Sequence, residues 1–575
     1  MQRKPDLASV EWALWAACVA ILPLPIWIVQ FPPLQDFPLH MARTAIQAGY
    51  GRPGSAYAEH FQLASVPVPY SLADWVWRAL GVFFPLPTAG KVLVSLTLVG
   101  LAISLAYLRR SSMARSPAPL LLLLPLFFNS SLHMGYVPFL VALPLLYVTL
   151  GYWWAHHSPM RLGQMAALGA LALLVYLAHL YGFLVLSVSL ATLALLSPRR
   201  AHALLSAALA PAPALALAAW AHLRTGGPHC EAWLSWLGAS HRLLRWDQWL
   251  LDSNQPTLAL LFRRAVTLLE SFLSFSPRWD LFVLICVLLL GLPLLWLGWT
   301  QRQGYPHWWV LLAVWALLFL ISPDYVEGFF LAERLPVVTA FLLVPLLGWP
   351  ESSRARQVWL IAAVTLYLAQ LSTLSQRYRE IDRKLQDCYA LLSQPSPASR
   401  MAFLRDRRSQ LEGWVVPVAF LDYYRYVAVA DALLPAKDPV VGAFRPVRHR
   451  SEPASHSYCL CDNEEQLRHY LCGRWWLGTG GYLLVVGQLT KSLEQVTRQC
   501  GLALRVRVGP FSVLRKTQAS YHSAPPPLYE SVRFEGDEEY VVVYQSPALG
   551  TPQLEGYNLV SHRGWAWLFR KELPL

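Results

Sequence analysis

Charged residues are scarce in this sequence. Only 14% of its 575 residues are Asp, Glu, Lys or Arg, whereas 55% are hydrophobic and the mean hydropathy is +0.37. Many apolar runs approach or exceed the roughly 20 residues that a helix needs to cross a bilayer. The 25 Trp and 25 Tyr residues are typical of a protein with two interfacial aromatic belts. The composition therefore predicts a polytopic α-helical membrane protein that contacts the lipid bilayer.

Familiar catalytic and nucleotide-binding motifs are also missing. The sequence has no Walker loop, dinucleotide fingerprint, zinc-protease motif or nucleophile elbow, and it has no repeat or coiled coil. The net charge is +13, but much of the excess Lys and Arg lies in short loops between apolar runs. The inside-positive bias and anionic lipid account for charge in those places. We therefore expect no nucleic-acid partner.

The apolar runs predict about eleven transmembrane spans. The basic N-terminus precedes an apolar stretch that continues to Phe31. This is too long for the apolar core of a cleaved signal peptide, so we expect an uncleaved anchor. The spans are predicted near 12–31, 90–108, 117–130, 136–155, 162–178, 181–197, 202–222, 280–299, 307–322, 336–349 and 357–374.

Arginine in the short loops predicts the orientation. With a cytoplasmic N-terminus, the loop arginines all fall on the cytoplasmic side, as the inside-positive rule requires. They are Arg109, Arg110, Arg115, Arg161, Arg199, Arg200, Arg302, Arg354 and Arg356. We therefore predict a transmembrane domain over 1–375 with outer loops at 32–89, 223–279 and 322–336. An odd number of spans puts residues 376–575 outside, as an extracytoplasmic soluble domain.

That C-terminal region differs in character from the rest. Charge, Pro and turn residues become frequent, and short β-like runs occur at Gly481–Gly487, Leu502–Leu514 and Tyr540–Tyr544. A helix is predicted over Ser492–Gly501, so we predict an α/β or α+β domain. The C-x-C spacing of its two nearest cysteines, at 459 and 461, is not that of a zinc knuckle. Disulfide pairing or plain burial therefore fits these cysteines better than a metal does.

The segment after the first span holds the best candidate for chemistry. On a helix, Asp36, His40 and Arg43 lie at i, i+4 and i+7 and share one face. Asp36 precedes Pro38 and is a sensible helix N-cap, which the local sequence alone favours. His40 and Arg43 can equally form a solvated face. The three together suit an anionic phosphate beside a general base, with Asp36 taking a proton or holding a divalent cation such as Mg or Mn.

Other candidates lie in the remaining outer turns. Glu327, Glu333 and Arg334 stand at the edge of a span, where charges are more often interfacial anchors. Arg334 can nevertheless reach the same phosphate from the opposite wall of a cavity. His179 is a further candidate because an imidazole in an apolar turn needs a partner. Few charges fall in the middle of the spans, which disfavours a transporter.

This layout resembles the GT-C superfamily of membrane glycosyltransferases. The first span is followed at once by a long outer loop that opens with an Asp-bearing helix, and Gly135–Leu140 is similar to a span start in uncharacterised bacterial relatives. The sequence lacks the paired acidic motif of several members. The resemblance implies that Asp36 is catalytic and that His40, Arg43 and Arg334 bind the donor phosphate.

The same resemblance implies the partners. The donor is a sugar on polyprenyl phosphate, and the acceptor is a hydroxyl of a glycan, lipid or protein at the outer face of a bacterial inner membrane. The alternatives are a non-enzymatic membrane subunit of envelope polysaccharide assembly and a lipid or polysaccharide transporter.

Overall fold

The computed structural model describes most of the chain up to residue 392 and strands beyond it. The described residues are 7–52, 58, 61–64, 66–112, 116–157, 159–225, 257–273, 276–301, 306–322, 325–326, 329–330, 332–392, 400–406, 434–435, 447–449, 458–461, 482–486, 495, 498, 502–508, 511–516, 528–533, 539–544, 557–563 and 566–571. The chain divides into two compact units. The first comprises Met1–Ser393, Leu411–Ala432 and Asp438–Pro453, and the second comprises Gln394–Gln410, Leu433–Lys437 and Ala454–Leu575.

Helices make up most of the first unit. In chain order they are α1 (Leu7–Ile21), α2 (Leu24–Trp27), α3 (Phe37–Gly49), α4 (Ser71–Leu80), α5 (Leu86–Ser111), α6 (Ser130–His133), α7 (Val137–His156), α8 (Leu162–Ala178), α9 (Leu180–Leu196), α10 (Arg200–Leu209), α11 (Ala212–Thr225), α12 (Thr257–Glu270), α13 (Pro277–Thr300), α14 (Pro306–Ile321), α15 (Leu335–Leu342) and α16 (Ser353–Leu392). Two short antiparallel pairs accompany them. Strand β1 (Phe61–Leu63) pairs with β6 (Val447–His449), and β2 (Tyr325–Val326) pairs with β3 (Phe329–Phe330).

Six helical stretches are long and apolar enough to cross a membrane, among the described residues. They are Ser9–Trp27, Leu86–Ser111, Val137–His156, Arg200–Ala221, Arg278–Thr300 and Ser353–Arg383. The prediction of a polytopic helical membrane protein is confirmed in this coarse form. Five further apolar helices of 10–17 residues fall on the other predicted spans, at Ala118–Phe127, Leu162–Ala178, Leu180–Leu196, Pro306–Ile321 and Leu335–Leu346. The count of eleven spans stays a prediction.

Two predicted spans differ in form from a simple helix. The span expected at 117–130 contains a 3₁₀ helix, Ala118–Phe127, with Pro125 inside it. Proline lacks the amide hydrogen that a regular α-helix would use there. The last span, expected to end at 374, continues as α16 to Leu392. The residues that follow 374 are mostly polar, but Gln, Arg, Glu and Lys are good helix formers, so the helix outlasts its apolar part.

Helix α7 is the centre of the helical unit. It packs against α5, α8 and α9, and 72% of its apolar stretch is buried inside the protein. Its polar side chains reach specific partners, because the Tyr147 hydroxyl donates to the carbonyl of Val338 at 2.9 Å and the Trp153 indole donates to Ser206 Oγ at 2.9 Å. Since α7 begins at Val137, this packing fixes the turn before it, which becomes part of the candidate site.

A buried polar cluster connects the first half of α1 with the last turn of α5. Arg109, in the last turn of α5, donates to the carbonyl oxygens of Ser116 at 2.6 Å, Val344 at 3.0 Å and Leu347 at 2.8 Å. Glu11 of α1 accepts from Ser116 Oγ at 2.6 Å and from the Trp349 indole at 3.0 Å. These bonds satisfy buried charges that would otherwise be costly, so we assign this cluster a structural role.

The second unit contains two sheets. One is a mixed sheet in the order β5-β4-β8-β10-β9, in which β4 also pairs with β7; the other is an antiparallel sheet in the order β11-β12-β14-β13. The strands are β4 (Arg400–Asp406), β5 (Leu434–Pro435), β7 (Tyr458–Cys461), β8 (Tyr482–Val486), β9 (Leu502–Val508), β10 (Phe511–Lys516), β11 (Leu528–Arg533), β12 (Glu539–Tyr544), β13 (Tyr557–Arg563) and β14 (Ala566–Lys571). Strand β4 runs parallel to β5, β7 and β8. Most of the predicted helix at 492–501 lies outside the described residues.

Candidate active site

The segment between α2 and α3, residues 29–36, carries Asp36 and is held from two sides; we call it the Asp36 strap. The buried carboxylate of Asp382, on α16, accepts the amide hydrogens of Gln30 at 3.0 Å and Phe31 at 2.8 Å. Lys91, near the start of α5, donates to the carbonyl of Val29 at 2.5 Å. Both contacts bind backbone atoms, so they fix the path of the chain into α3 whatever side chains the strap carries.

A third contact comes from the turn before α7. The amide hydrogens of Gln35 and Asp36 donate to the carbonyls of His133 at 2.9 Å and Met134 at 3.0 Å. Gly135 in this turn has φ of +70°, and a Cβ there would lie 2.7 Å from the Asp36 nitrogen. Only glycine adopts this conformation at low cost and permits so close an approach. These bonds and this close approach place the turn directly against the segment that carries Asp36.

Asp36 occupies the N-cap position of α3 but does not cap the helix. Its side chain makes no capping hydrogen bond, although its carbonyl accepts the amide hydrogen of His40 at 3.0 Å. The cap interpretation that the local sequence favoured is therefore wrong at the level of the side chain. The carboxylate is half-buried and is not used to satisfy the first turn.

Arg43 is committed to an ion pair with α4. Its Nη2 lies 2.5 Å from Oδ1 of Asp74, and both side chains are buried, with relative exposures of 2% and 1%. Gln47, one turn further along α3, donates to the other oxygen of Asp74 at 2.9 Å. His40 is also buried on α3. The shared face that the sequence predicted is thus packed, and Arg43 connects α3 to α4 across it.

Arg334 lies in an aromatic surrounding at the start of α15. Its guanidinium carbon is 4.2 Å from the ring centre of Tyr136 and 5.4 Å from that of Phe139. Its Nη1 lies 3.2 Å from Nε2 of His179. Within the described part of the chain Arg334 forms no ion pair, although only 5% of it is exposed. A buried cation without a counter-ion is costly, and such groups mark functional sites more often than structural ones.

The pKa of the Tyr136 hydroxyl depends on the charged groups near it. Burial raises the pKa of Tyr136 to about 12; the Arg334 charge opposes this shift, whereas the carboxylates of Asp36 and Glu333 add to it. Asp36, Glu333 and Arg334 therefore all lie within electrostatic reach of one buried hydroxyl. Tyr136 was not among the site residues predicted from the sequence, and its position close to these groups was missed.

His179 stands between α8 and α9 and was among the weaker sequence candidates. Burial, together with the neighbouring Arg334 guanidinium, lowers the pKa of His179 well below its ordinary value, so the ring is neutral near pH 7. Its ring also packs edge-on against that of Tyr70, with centres 4.8 Å apart. Tyr70 immediately precedes α4, so His179 links the Arg334 cluster to the segment between α2 and α5 that also contains Asp36.

The remaining candidates are placed as follows. Glu333 is half-buried, and its backbone carbonyl accepts from Ser271 Oγ at 2.9 Å. Glu327 lies outside the described residues. No group of three or more His, Cys, Asp and Glu side chains is arranged to hold a metal ion in the described part of the chain. Asp36 and Glu333 alone do not make a complete ligand set, so a divalent cation stays a prediction and no step below depends on it.

Comparison with known proteins gives little further help. No protein-family model matches the sequence, and no curated protein matches it significantly. Among solved structures, the chain is similar to a crystal structure of ArnT from Cupriavidus metallidurans in the apo state. The identity is 11%, the TM-score is 0.49, and the match covers 90% of this chain and 100% of that chain. A similarity of this size assigns neither a fold family nor an activity.

Proposed function

We propose that this protein is a membrane glycosyltransferase of the GT-C type, which transfers a sugar from a polyprenyl-phosphate carrier to a hydroxyl acceptor at the outer face of a bacterial inner membrane. The observation that supports this most directly is the meeting of Asp36 and Arg334 around Tyr136. A carboxylate and a buried guanidinium that has no counter-ion among the described residues are the two kinds of group that such a transfer needs. The apolar helices provide the surroundings for a lipid tail.

Asp36 is the proposed general base. Its side chain takes the proton from the acceptor hydroxyl as the hydroxyl oxygen attacks the anomeric carbon of the sugar. The bond between that carbon and the phosphate oxygen breaks, and polyprenyl phosphate leaves with the electron pair. Asp36 is half-buried and its side chain makes no bond to the first turn of α3, so part of the residue stays accessible to an acceptor.

Arg334 is the proposed ligand of the leaving phosphate. Its planar guanidinium is held by the face of Tyr136, which leaves the edges of the plane to contact phosphate oxygens. Negative charge develops on those oxygens in the transition state, where a pre-positioned cation is most effective. His40 and Arg43 stay in the proposal as assisting groups, although the ion pair with Asp74 already neutralises Arg43.

The proposal is tested by transfer of radiolabelled sugar from a polyprenyl-phosphate donor in membranes with matched expression. We expect Asp36→Asn to lower transfer by at least about 100-fold, the smaller end of the range for removal of a general base. No capping bond is lost in this variant, so the fall in transfer should be far larger than any change in thermal stability. Glu351→Gln, the same chemical change at an exposed acid, is the matched control and should retain full transfer.

Other results would redirect the assignment. Full transfer by Asp36→Asn would remove Asp36 from the chemistry. Absence of transfer by the wild-type protein with every donor tried would favour a non-enzymatic subunit of envelope polysaccharide assembly, with the C-terminal region as a docking module.

A further inference from the structure

His179 lies between two hydrogen-bond donors. Its Nδ1 accepts the backbone amide hydrogen of Tyr181 at 3.1 Å, and its Nε2 lies 3.2 Å from Nη1 of Arg334. Both neighbours can only donate, because a backbone amide hydrogen and a guanidinium have no lone pair to offer. A neutral imidazole has one N–H, so it cannot accept on both sides.

The position of Tyr181 decides which ring nitrogen carries the hydrogen. Its amide belongs to the first turn of α9, and His179 is the N-cap residue whose side chain satisfies that amide. The direction of this N–H is fixed by the helix, so we assign Nδ1 as the accepting nitrogen, which puts the hydrogen on Nε2. The Nε2–H group and the guanidinium of Arg334 then face each other as two donors. This contact is unfavourable unless an acceptor lies against both.

Further polar groups without partners lie near the same point in the described part of the chain. There, Nε of Arg334 is buried and has no hydrogen-bond acceptor, and the buried hydroxyl of Tyr181 has no hydrogen-bond partner. Phe139 lies between these groups, with its ring centre 6.1 Å from that of Tyr181 and 5.4 Å from the Arg334 guanidinium carbon. Buried polar groups in proteins are nearly always satisfied, so unsatisfied polar groups near one buried guanidinium indicate a site for an acceptor-rich ligand.

The nearby carboxylates show where an anion fits. Asp36 and Glu333 both act on the Tyr136 hydroxyl, so an anion at that hydroxyl would be repelled. The edge of the guanidinium that faces His179 meets a neutral donor instead. An anionic oxygen placed there can accept from Nε2–H and from Nη1 at the same time.

We infer that His179 is a neutral hydrogen-bond donor which, with Arg334, forms a binding subsite for a phosphate oxygen of the lipid-linked donor or of the released polyprenyl phosphate. This deepens the proposed function and rests on it for the identity of the ligand. The anion-binding geometry itself belongs to this chain's own residues. No bond is made or broken at His179; its Nε2–H holds the phosphate while the sugar is transferred.

Two substitutions separate the donor role from the capping role. In His179→Asn the amide oxygen takes the place of Nδ1 and can still accept from Tyr181, but nothing replaces Nε2–H. In His179→Gln the amide nitrogen reaches the place of Nε2 and supplies a donor. Binding is measured by calorimetry on the purified full-length protein, with polyprenyl phosphate without sugar as one probe and inorganic phosphate as the other.

We expect His179→Asn to weaken polyprenyl phosphate binding by about 10- to 100-fold, the effect of one lost hydrogen bond to a charged group, with little change in thermal stability. His179→Gln should bind within about threefold of the wild-type protein. Binding of polyprenyl phosphate but not inorganic phosphate assigns the subsite to a lipid phosphate, whereas equal dependence on His179 with inorganic phosphate assigns it to phosphate in general.

Several results would overturn the inference. They are equal binding by the wild-type protein and His179→Asn, equal loss in both variants, or no binding of either probe to the wild-type protein. Nitrogen-15 spectra of histidine-labelled protein give a second measurement, because the signal that disappears in His179→Gln must show a hydrogen on Nε2. These readouts need no sugar transfer. Binding that depends on His179 in a protein without transferase activity would contradict the proposed function and leave the subsite intact.

Discussion

Arg334 stacks on Tyr136, with the guanidinium carbon 4.2 Å from the ring centre. The ring holds the plane of the guanidinium while the edges of the plane stay free of carboxylates in the described part of the chain. Structural arginines in this protein are arranged differently. Arg109 has three carbonyl acceptors, and Arg43 has a carboxylate. This contrast is the main reason for giving Arg334 a functional role.

The first prediction concerns the shape of that cation. Arg334→Lys keeps the charge but loses both the stacked plane and the fork of donors. We expect the rate of sugar transfer to fall by about 10- to 100-fold, equivalent to the loss of one or two charge-assisted hydrogen bonds. Initial rates at matched protein amounts measure this. Arg377→Lys, at an exposed position of α16, is the control, and equal rates in both variants would contradict a phosphate role for Arg334.

The second prediction concerns the pair Arg43–Asp74. Asp74→Asn leaves a buried guanidinium without its counter-ion, so we expect the free energy of unfolding to fall by about 3 kcal/mol. The double variant Arg43→Met with Asp74→Leu should recover most of that loss, because it removes both buried charges. Reversible unfolding in detergent measures the stability. If the double variant is stable but transfers no sugar, Arg43 binds donor as the sequence predicted; if it is active, Arg43 is structural.

The third prediction concerns Gly135. Gly135 has a positive φ, and a Cβ at this position would lie 2.7 Å from the backbone nitrogen of Asp36. Because a backbone nitrogen cannot swing away like the end of a flexible side chain, Gly135→Ala must move the Asp36 strap. We expect the free energy of unfolding to fall by about 1 kcal/mol because of the backbone conformation alone, and the rate of sugar transfer to fall as well. Gly163→Ala is the control, because a Cβ there meets no atom within 4 Å. Similar melting temperatures for both variants would contradict the packing described here.

The fourth prediction concerns the loss of stability at acidic pH. Burial lowers the pKa of His133 to about 3, and burial with Arg334 lowers that of His179 well below its usual value. Both rings are neutral in the folded protein but take up a proton near pH 6.5 when unfolded. Their contribution to stability is therefore complete above about pH 6.5 and is lost as the pH falls towards the folded pKa values. Below about pH 6, each histidine lowers the free energy of unfolding by up to about 1.4 kcal/mol for every pH unit of acidification.

Melting temperatures of the wild-type protein and His179→Gln between pH 7.5 and pH 5 test this. The variant lacks one of the two titrating groups, so its melting temperature should fall less steeply with acid. Parallel curves would show that His179 is not protonated on unfolding in this range.

Local patterns were sufficient to predict many of the helical segments and the helix that follows Asp36. Helix α3 begins one residue after Asp36, as the spacing of Asp36, His40 and Arg43 on one helical face requires. Its start follows from local periodicity and from the proline in its first turn. The start of α7 at Val137 likewise agrees with the span predicted at 136–155.

The pairings between side chains could not be predicted in the same way. Arg43 and Asp74 are 31 residues apart, and Arg334 and His179 are 155 apart. Such contacts depend on how helices pack, which periodicity does not encode. The sequence predicted Arg43 as a phosphate ligand because Arg43 shares a face with Asp36, but it could not predict the ion pair of Arg43 with Asp74 of α4. Tyr136 was undervalued for the same reason: an aromatic residue at a span end is ordinary until a buried cation is found on its ring.

Asp382 holds the Asp36 strap although it lies 352 residues later in the chain than Gln30. Membrane helices enter the bilayer in the order of their synthesis, so α1 to α15 are already made before this carboxylate leaves the ribosome. Lys91 and the turn before α7 can hold the segment that carries Asp36 earlier, but its third anchor is added only when residue 382 has been made. A nascent chain released before residue 382 would carry every candidate site residue, yet its strap would lack this anchor. Truncation in α16 would thus loosen the candidate site without removing any of its residues.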